Sequence, residues 1–254
     1  MEDEILSVIE SWGFEVEKIN ESNRQKTPDF YVSDEDSAYL IELKEKGDNP
    51  DQIANIDSKI SSGEVHMQSI TLKPTNKIGR VIEKAKSQLK SGAEGEDIFR
   101  LVWLAAVERD QEAKFEQFIS TLFGTKNVVD VHPDGASKIC YFFRNSAFYQ
   151  YREHLDAAIV SWQNNAQLCI NPYSPRYDRF RESKLSRFFL SENAFLDPKL
   201  EEEKGCGYIV DTSISRENEQ DVLDFLCAKY GVEKLVSMDM GMHSAIMAIP
   251  DEET

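Results

Sequence analysis

Three charged side chains occupy positions of a predicted hairpin where apolar residues are expected: Asp29, Glu42 and Lys44. The hairpin, residues 27–46, contains two short apolar runs around an acidic turn. Successive residues of a strand point to opposite faces of the sheet, so Glu42 and Lys44 share one face. The sequence therefore predicts an acid and an amine side by side on one strand.

The length of the turn places the third charged group beside these two. If residues 34–37 form the loop, Ser33 pairs with Ala38, and the same register puts Asp29 opposite Glu42. Directly opposed strand residues have Cβ atoms about 5 Å apart, and like charges there destabilise the sheet unless a cation lies between them. We therefore expect these two carboxylates to bind a cation.

The three side chains suit metal-assisted hydrolysis of a phosphodiester. Mg²⁺ prefers oxygen ligands and is typically held by one or two carboxylates together with water and substrate phosphate oxygens. The Lys44 ammonium can lower the pKa of a metal-bound water and stabilise the charge that develops on the phosphate. The alternative is structural: Glu42 and Lys44 form a surface ion pair on an edge strand, and Asp29 begins the hairpin after Pro28.

The elements that must position these residues follow from the apolar periodicity. A helix is predicted near residues 2–12, then a strand at "FEVEKI", then the hairpin. Residues 47–76 contain Gly and Pro without a firm period, which predicts an irregular insertion that can carry a short helix or strand. Apolar residues at helical spacing from Ile78 to Leu89 precede the apolar strand "IFRLVWLAA", which is suited to burial on both faces. The predicted order is αβββαβ.

The second half of the chain alternates shorter strands and helices. Helices are predicted near residues 112–122, over residues 173–187 and at "EQDVLDFLCAKYG"; strands are predicted at "NVVDV", "KICYFF", "AAIVSW", "QLCI" and "GYIVDT". A closing hairpin pairs "KLVSM" with "HSAIMAI". We expect a mixed α/β fold with a first domain at residues 1–125 and a C-terminal α/β extension or second domain at residues 126–254, whose role the sequence does not assign.

The first part of the chain resembles a known family. Pro28-Asp29, a short gap and then Glu42-Leu43-Lys44 at the end of an apolar strand are similar to the motif of the PD-(D/E)XK nuclease superfamily. The resemblance extends to about residue 106 and implies a restriction-endonuclease-like αβββαβ core. It also implies that Asp29 and Glu42 are metal ligands, that the Leu43 backbone carbonyl contacts the metal, and that Lys44 assists the attacking water.

The same resemblance suggests supporting residues on two helices. Members of the superfamily often place a lysine or glutamine near the scissile phosphate, and Lys84 and Gln88, one helical turn apart, match that element. Some members also supply an acid from the first helix, for which Glu10 is the candidate, with Glu4 behind it. The alternative for all of them is ordinary solvation of exposed helix positions.

Charge is distributed unevenly along the chain. The formal net charge of −17 opposes the binding of a polyanion. Residues 73–90, however, carry six bases against one acid. A second basic island, residues 173–187, interleaves aromatic side chains with Arg176, Arg179 and Arg181, a mixture that can hold phosphates and stack bases. These arginines and Lys84 are the candidate nucleic-acid contacts; a solvated amphipathic helix is the alternative for the island.

Other classes of protein are disfavoured. The composition, 41% hydrophobic and 10% aromatic, is typical of a folded soluble protein, and no apolar run approaches the roughly 18 residues of a membrane span, so we expect a cytoplasmic protein without membrane attachment. The four cysteines lack a CxxC spacing and the four histidines are dispersed, which disfavours zinc. The chain has no P-loop and no G-x-G-x-x-G motif.

Two hypotheses follow from the sequence. The first is a Mg²⁺-dependent nuclease of DNA, or alternatively of RNA, in which Mn²⁺ can substitute for Mg²⁺. The second is a catalytically silent binding or scaffold module in a larger assembly, which the net charge favours. The C-terminal region would then contact nucleic acid, a second copy of the chain or a partner protein.

Overall fold

The structure is a computed structural model that describes residues 1–20, 27–92 and 97–247. The middle of the predicted turn "SGAEGED" and the last two residues of "HSAIMAI" lie outside the described residues. The expected mixed α/β fold is confirmed: helices pack on a large mixed sheet. Within the described ranges, every helix is too short or too polar to cross a lipid bilayer.

The helices lie mainly where apolar residues recur at helical spacing. In the third helix, for example, Ile78, Ile82, Ala85 and Leu89 form one buried stripe, and most of the remaining positions are polar. The helices are α1 (Glu2–Ser11), α2 (Pro50–Ser61), α3 (Asn76–Gly92), α4 (Gln111–Phe123), α5 (Ala147–Gln150), α6 (Tyr177–Arg181), α7 (Lys184–Ser191), α8 (Pro198–Glu203) and α9 (Glu219–Tyr230).

The strands include the predicted runs "IFRLVWLAA", "AAIVSW" and "QLCI". They are β1 (Glu15–Lys18), β2 (Phe30–Ser33), β3 (Ala38–Lys46), β4 (His66–Thr71), β5 (Ile98–Ala106), β6 (Lys126–Asp130), β7 (Ser137–Tyr141), β8 (Ala157–Trp162), β9 (Asn165–Ile170), β10 (Phe195–Leu196), β11 (Gly207–Ile209), β12 (Leu235–Met238) and β13 (Gly241–Ile246). The insertion at residues 47–76 thus carries both a helix, α2, and a strand, β4.

The main sheet has the strand order β1-β2-β3-β5-β8-β9-β10 among the described residues. Strands β1, β2 and β3 are antiparallel neighbours, whereas β3, β5 and β8 run parallel. The central strands are covered on both faces. Leu40 and Val102 face α3 and α4, while Ile41 and Leu101 face α1, α6 and α7. This double burial explains why "IFRLVWLAA" is apolar at every position except Arg100.

The remaining described strands form two smaller sheets, in the orders β11-β7-β6-β12 and β13-β4. The closing hairpin predicted from "KLVSM" and "HSAIMAI" is therefore wrong, because β12 pairs with β6 and β13 pairs with β4. The chain changes sheets at Asp239, whose carboxylate forms ion pairs with Lys126 (2.9 Å) and Arg144 (2.6 Å). These contacts fix the end of β12 and direct the following strand towards the insertion.

The main sheet also runs across the domain boundary expected at residue 125. Strand β5 pairs with β8 from Leu101↔Ala157 to Ala106↔Trp162. One buried apolar cluster contains Leu89 from before this boundary and Val160 from beyond it. The proposed boundary therefore does not coincide with a break in the sheet or in the apolar core.

Candidate metal and catalytic site

The hairpin that carries the site has the register expected from its turn. Ser33 pairs with Ala38, and the ladder continues to Phe30↔Ile41, so this prediction is confirmed. Asp29 comes one residue before β2. Its N–H donates to the Ile41 carbonyl (3.1 Å) and its own carbonyl accepts from the Ile19 N–H (2.8 Å), so its main chain is held from both sides.

The Asp29 side chain takes the place of a missing ladder partner. One carboxylate oxygen, Oδ2, accepts a hydrogen bond from the Leu43 N–H at 2.7 Å. Because β2 begins only at Phe30, this N–H has a side chain as its partner instead of a strand backbone. The N–H and C=O of one strand residue point to the same edge, so the Leu43 carbonyl is directed towards the Asp29 side as well.

Glu42 is a buried acid with an incomplete set of partners. Its side chain lies on the same face of β3 as Leu40, beneath α3, and is 0% exposed. Oε1 accepts a hydrogen bond from the Lys44 Nζ, while Oε2 has no hydrogen-bond partner within the described part of the chain. Lys44 is 25% exposed and so connects the buried acid to solvent. A buried carboxylate oxygen without a partner is costly, and either a proton shared with the Asp29 carboxyl or a bound cation would satisfy it.

Both carboxyl groups hold their protons more tightly than usual. Burial raises the pKa of Glu42 to about 7; the Lys44 ammonium opposes this rise and the Asp29 charge adds to it. Burial also raises the pKa of Asp29, against the Leu43 N–H and Lys44, which both lower it. Burial is the main cause in each case, so near neutral pH the pair favours a proton or a cation over two bare charges.

These residues fit a Mg²⁺ site with few protein ligands, of the kind that water and substrate phosphates complete. The described residues contain no cluster of three or more His, Cys, Asp or Glu side chains that could hold a metal. The site instead offers the carboxylates of Asp29 and Glu42 and the backbone carbonyl of Leu43. One oxygen of Glu42 has no hydrogen-bond partner among the described residues. Mg²⁺ commonly keeps several waters and takes its remaining ligands from substrate phosphates, so two carboxylates are sufficient.

Among the acids of α1, the charge of Glu2 reaches the Asp29 carboxyl. This charge contributes to the raised pKa of Asp29, and the Glu2 carboxylate is ion-paired with Lys18, which pairs with Phe30 in the sheet. Glu10 and Glu4, the sequence candidates, are exposed positions of the same helix. Sequence reasoning missed Glu2, because nothing in the periodicity of α1 shows which end of the helix lies beside the hairpin.

Helix α3 brings one of its two candidates to the site. Gln88 donates through Nε2 to the carbonyl of Thr27 (3.4 Å), two residues before Asp29. Lys84 is exposed one turn earlier on the same flank of the helix. At the other end of this flank, the charge of Lys77 contributes, after burial, to the lowered pKa of Lys46. Helix α3 therefore runs beside the end of β3 that carries the site.

The second basic island is engaged within the protein. Three of its four arginines form an ion pair with an aspartate: Arg176 with Asp156 (2.9 Å), Arg179 with Asp97 (2.7 Å) and Arg181 with Asp197 (3.4 Å). Two of these aspartates, Asp156 and Asp197, are 0% exposed. The structure thus gives the arginines a role in holding α6 to the sheet, and their contact with nucleic acid stays a prediction.

Comparisons of the chain with protein-family models, with curated proteins and with solved structures found no match. The functional argument therefore depends on the geometry and charge of the site itself.

Proposed function

We propose that this chain is a Mg²⁺-dependent nuclease that hydrolyses phosphodiester bonds of DNA, with RNA as the alternative substrate. The observation that carries the proposal is Glu42, a fully buried acid with one oxygen lacking a partner among the described residues, in contact with Lys44 and adjacent to Asp29. A purely structural ion pair would satisfy both oxygens or lie at the surface.

The arrangement of the first elements supports a restriction-endonuclease-like core. The sheet order β1-β2-β3-β5 has α1 packed on one face and α3 on the other, as the αβββαβ core requires. The insertion of α2 and β4 between β3 and α3 leaves this order intact, because β4 pairs with β13 outside the main sheet.

In this proposal each side chain has a separate task. Asp29, Glu42 and the Leu43 carbonyl hold Mg²⁺, with Mn²⁺ as a substitute; the bound ion supplies Lewis acidity and an activated water at neutral pH. Lys44, partly exposed next to Glu42, orients the water and stabilises the negative charge that develops on the phosphate. Gln88 and Lys84 position the phosphate from the α3 side, where no acidic side chain among the described residues forms an ion pair with Lys84.

The alternative, a catalytically silent binding or scaffold module, has a specific observation in its favour. The net charge is −17, and the second basic island is paired with aspartates instead of facing solvent alone. Under this alternative the buried Glu42 would remain protonated and no metal would bind.

The deciding experiment is cleavage of single- and double-stranded DNA and RNA with Mg²⁺, with Mn²⁺ and with EDTA. We expect metal-dependent cleavage by the wild type, abolished in Asp29→Asn and Glu42→Gln and reduced about 100-fold or more in Lys44→Ala. Glu45→Gln is the matched control, because Glu45 is an exposed acid of the same strand. The absence of cleavage together with equal Mg²⁺ heats for wild type and Glu42→Gln in calorimetry would contradict the proposal and favour the scaffold module.

A further inference from the structure

A basic cleft lies on the flank of α3 opposite the candidate site. It has a volume of about 440 Å³ and is lined by α3, by the segment around Arg144 and Asn145, by Tyr151 after α5 and by Arg216 from the loop before α9. Its charged lining comprises Arg80, Arg144 and Arg216 against Glu83 alone. A surplus of positive charge in a chain of net charge −17 points to an anionic ligand.

Two of the three arginines, Arg80 and Arg216, form no ion pair with an acid among the described residues, whereas Arg144 does. Arg216 donates to the carbonyls of Phe142 (2.8 Å) and Thr212 (2.8 Å), which are neutral, so its position is fixed while its charge is not cancelled. Arg144 shares the single carboxylate of Asp239 with a lysine. Arg80 is exposed and has no acidic ion-pair partner in the parts of the chain that the structure describes.

An adjoining cleft adds aromatic surface. It has a volume of about 260 Å³ and shares Arg144, Asn145, Ser146 and Arg216 with the first cleft. Tyr149 on its rim is 46% exposed and meets Tyr173 edge to face, with ring centroids 5.1 Å apart. The Arg152 guanidinium lies over one face of the Tyr149 ring, 4.8 Å from its centroid, so a base that stacks on Tyr149 uses the exposed ring surface that this contact leaves uncovered.

We propose that these two adjoining clefts bind a nucleoside phosphate, either a free nucleotide or one unit of a nucleic-acid strand. The phosphate lies against Arg80 and Arg144, and the base stacks on Tyr149. Guanidinium groups donate paired hydrogen bonds to phosphate oxygens, so this lining suits a phosphate better than an uncharged apolar ligand. Glu83, the acid of the lining, weakens the binding that the arginines provide.

The position of the clefts connects them with the candidate site. Residues of a helix are separated by about 100°, so Gly79 and Glu83 lie on the flank of α3 opposite Lys84 and Gln88, with the buried stripe between them on the core side. Arg80 lies on the exposed ridge between these two flanks, one helical turn before Lys84. A strand crossing the exposed ridge of α3 would place phosphates at both sites.

The test is calorimetry in EDTA, so that its outcome does not depend on nuclease activity. The probes are ATP, pyrophosphate and a short single-stranded oligodeoxynucleotide, titrated into the full chain. Arg80→Glu should weaken the binding of ATP and oligonucleotide about tenfold, and Glu83→Gln should strengthen it about threefold, because a charge is added or removed beside the phosphate. Lys59→Glu, which makes the same charge change at an exposed position of α2, is the matched control and should change binding little.

Tyr149→Ala separates stacking from charge: it should weaken ATP and oligonucleotide but leave pyrophosphate unchanged. If ATP binds and the variants change its binding as expected, the ligand is a free nucleotide. If only the oligonucleotide binds, the ligand is one unit of a nucleic-acid strand. The proposal is overturned if none of the probes binds, if Arg80→Glu and Lys59→Glu weaken binding equally, or if Tyr149→Ala has no effect on any of them. Melting curves of each variant check that the fold is retained.

Discussion

At the scale of single residues, Glu42 destabilises the folded chain when it is ionised, and it is also central to the proposed chemistry of the site. Its carboxylate is withdrawn from solvent, one of its oxygens lacks a partner among the described residues, and Asp29 adds a second negative charge. Lys44 compensates only part of this, because it contacts a single oxygen. The free protein therefore holds an acid in an environment that favours its neutral form, and binding of a cation would relieve that conflict.

This conflict predicts how Glu42→Gln changes stability with pH. The pKa of Glu42 in the folded chain, about 7, lies above its ordinary value of 4.5. The folded state therefore binds the proton more tightly, and the contribution to stability is present below pH 4.5 and is lost as the pH rises to about 7 and beyond. The loss corresponds to about 3 kcal/mol at most. In EDTA, Glu42→Gln should be more stable than wild type at pH 8 and nearly equal to it at pH 5.

Urea unfolding at these two pH values measures the effect. The difference between wild type and variant cancels the groups that titrate independently of Glu42, and Glu45→Gln should follow the wild type. Mg²⁺ should restore the stability of the wild type at pH 8 more than at pH 5, because a carboxylate ligand must be deprotonated. A variant less stable than wild type at pH 8 without metal would show that Glu42 is a structural partner of Lys44.

The residue pattern of the site was accessible from sequence, but its depth was not. Alternation along β3 predicted that Glu42 and Lys44 share a face, and the length of the turn predicted the hairpin register. The burial of Glu42 depends on α3, which lies on that face from more than 30 positions further along the chain. The approach of Glu2 to Asp29 likewise depends on how α1 docks, which its own periodicity does not specify.

At the scale of elements, the ion pairs of the second basic island differ in burial and therefore in how much each contributes to the free energy of unfolding. Arg176 contacts both oxygens of Asp156, which is 0% exposed and also accepts the Arg100 N–H (2.8 Å). Arg179 pairs with an aspartate whose side chain is 95% exposed. Removing the partner of a buried charge leaves that charge uncompensated, whereas an exposed pair contributes little.

We therefore expect Arg176→Ala to lower the free energy of unfolding by about 3 kcal/mol, and Arg179→Ala to lower it by less than about 1.5 kcal/mol, including the loss of its contact with the Phe99 ring. Chemical denaturation of the two variants at neutral pH provides the comparison. Equal, small losses for both variants, accompanied by a weaker salt dependence of DNA binding, would instead assign the whole island to nucleic-acid contact.

Elements were predictable where the signal is local. The stripe of α3 and the strand β8 follow from residues close together in sequence, and their bounds were nearly correct. The partners of β12 and β13 were not predictable in this way, because each pairs with a strand from a distant part of the chain. Adjacent strands joined by a short connection usually form a hairpin, and here the ion pairs of Asp239 accompany a different outcome.

At the scale of the whole molecule, the seven-stranded sheet makes the two halves of the chain interdependent. Strands β8, β9 and β10 all come from beyond residue 125 and extend the sheet from β5. The second half also covers α4, since Phe123 packs against Phe148 with ring centroids 4.9 Å apart. A boundary drawn at the end of a predicted helix cannot detect this, because the sequence near the helix end does not show which strand fills the next place in the sheet.

The last prediction therefore concerns a chain cut at that boundary. A fragment of residues 1–125 would leave β5 as an edge strand with nine residues of "IFRLVWLAA", and would uncover Leu104 and Phe118, both now at most 1% exposed. A long apolar edge strand promotes association. We expect this fragment to aggregate or to unfold without cooperativity in circular dichroism, and co-expression with residues 126–254 to restore a one-to-one complex in size-exclusion chromatography. A monomeric fragment that unfolds cooperatively and binds Mg²⁺ like the full chain would establish an independent first domain instead.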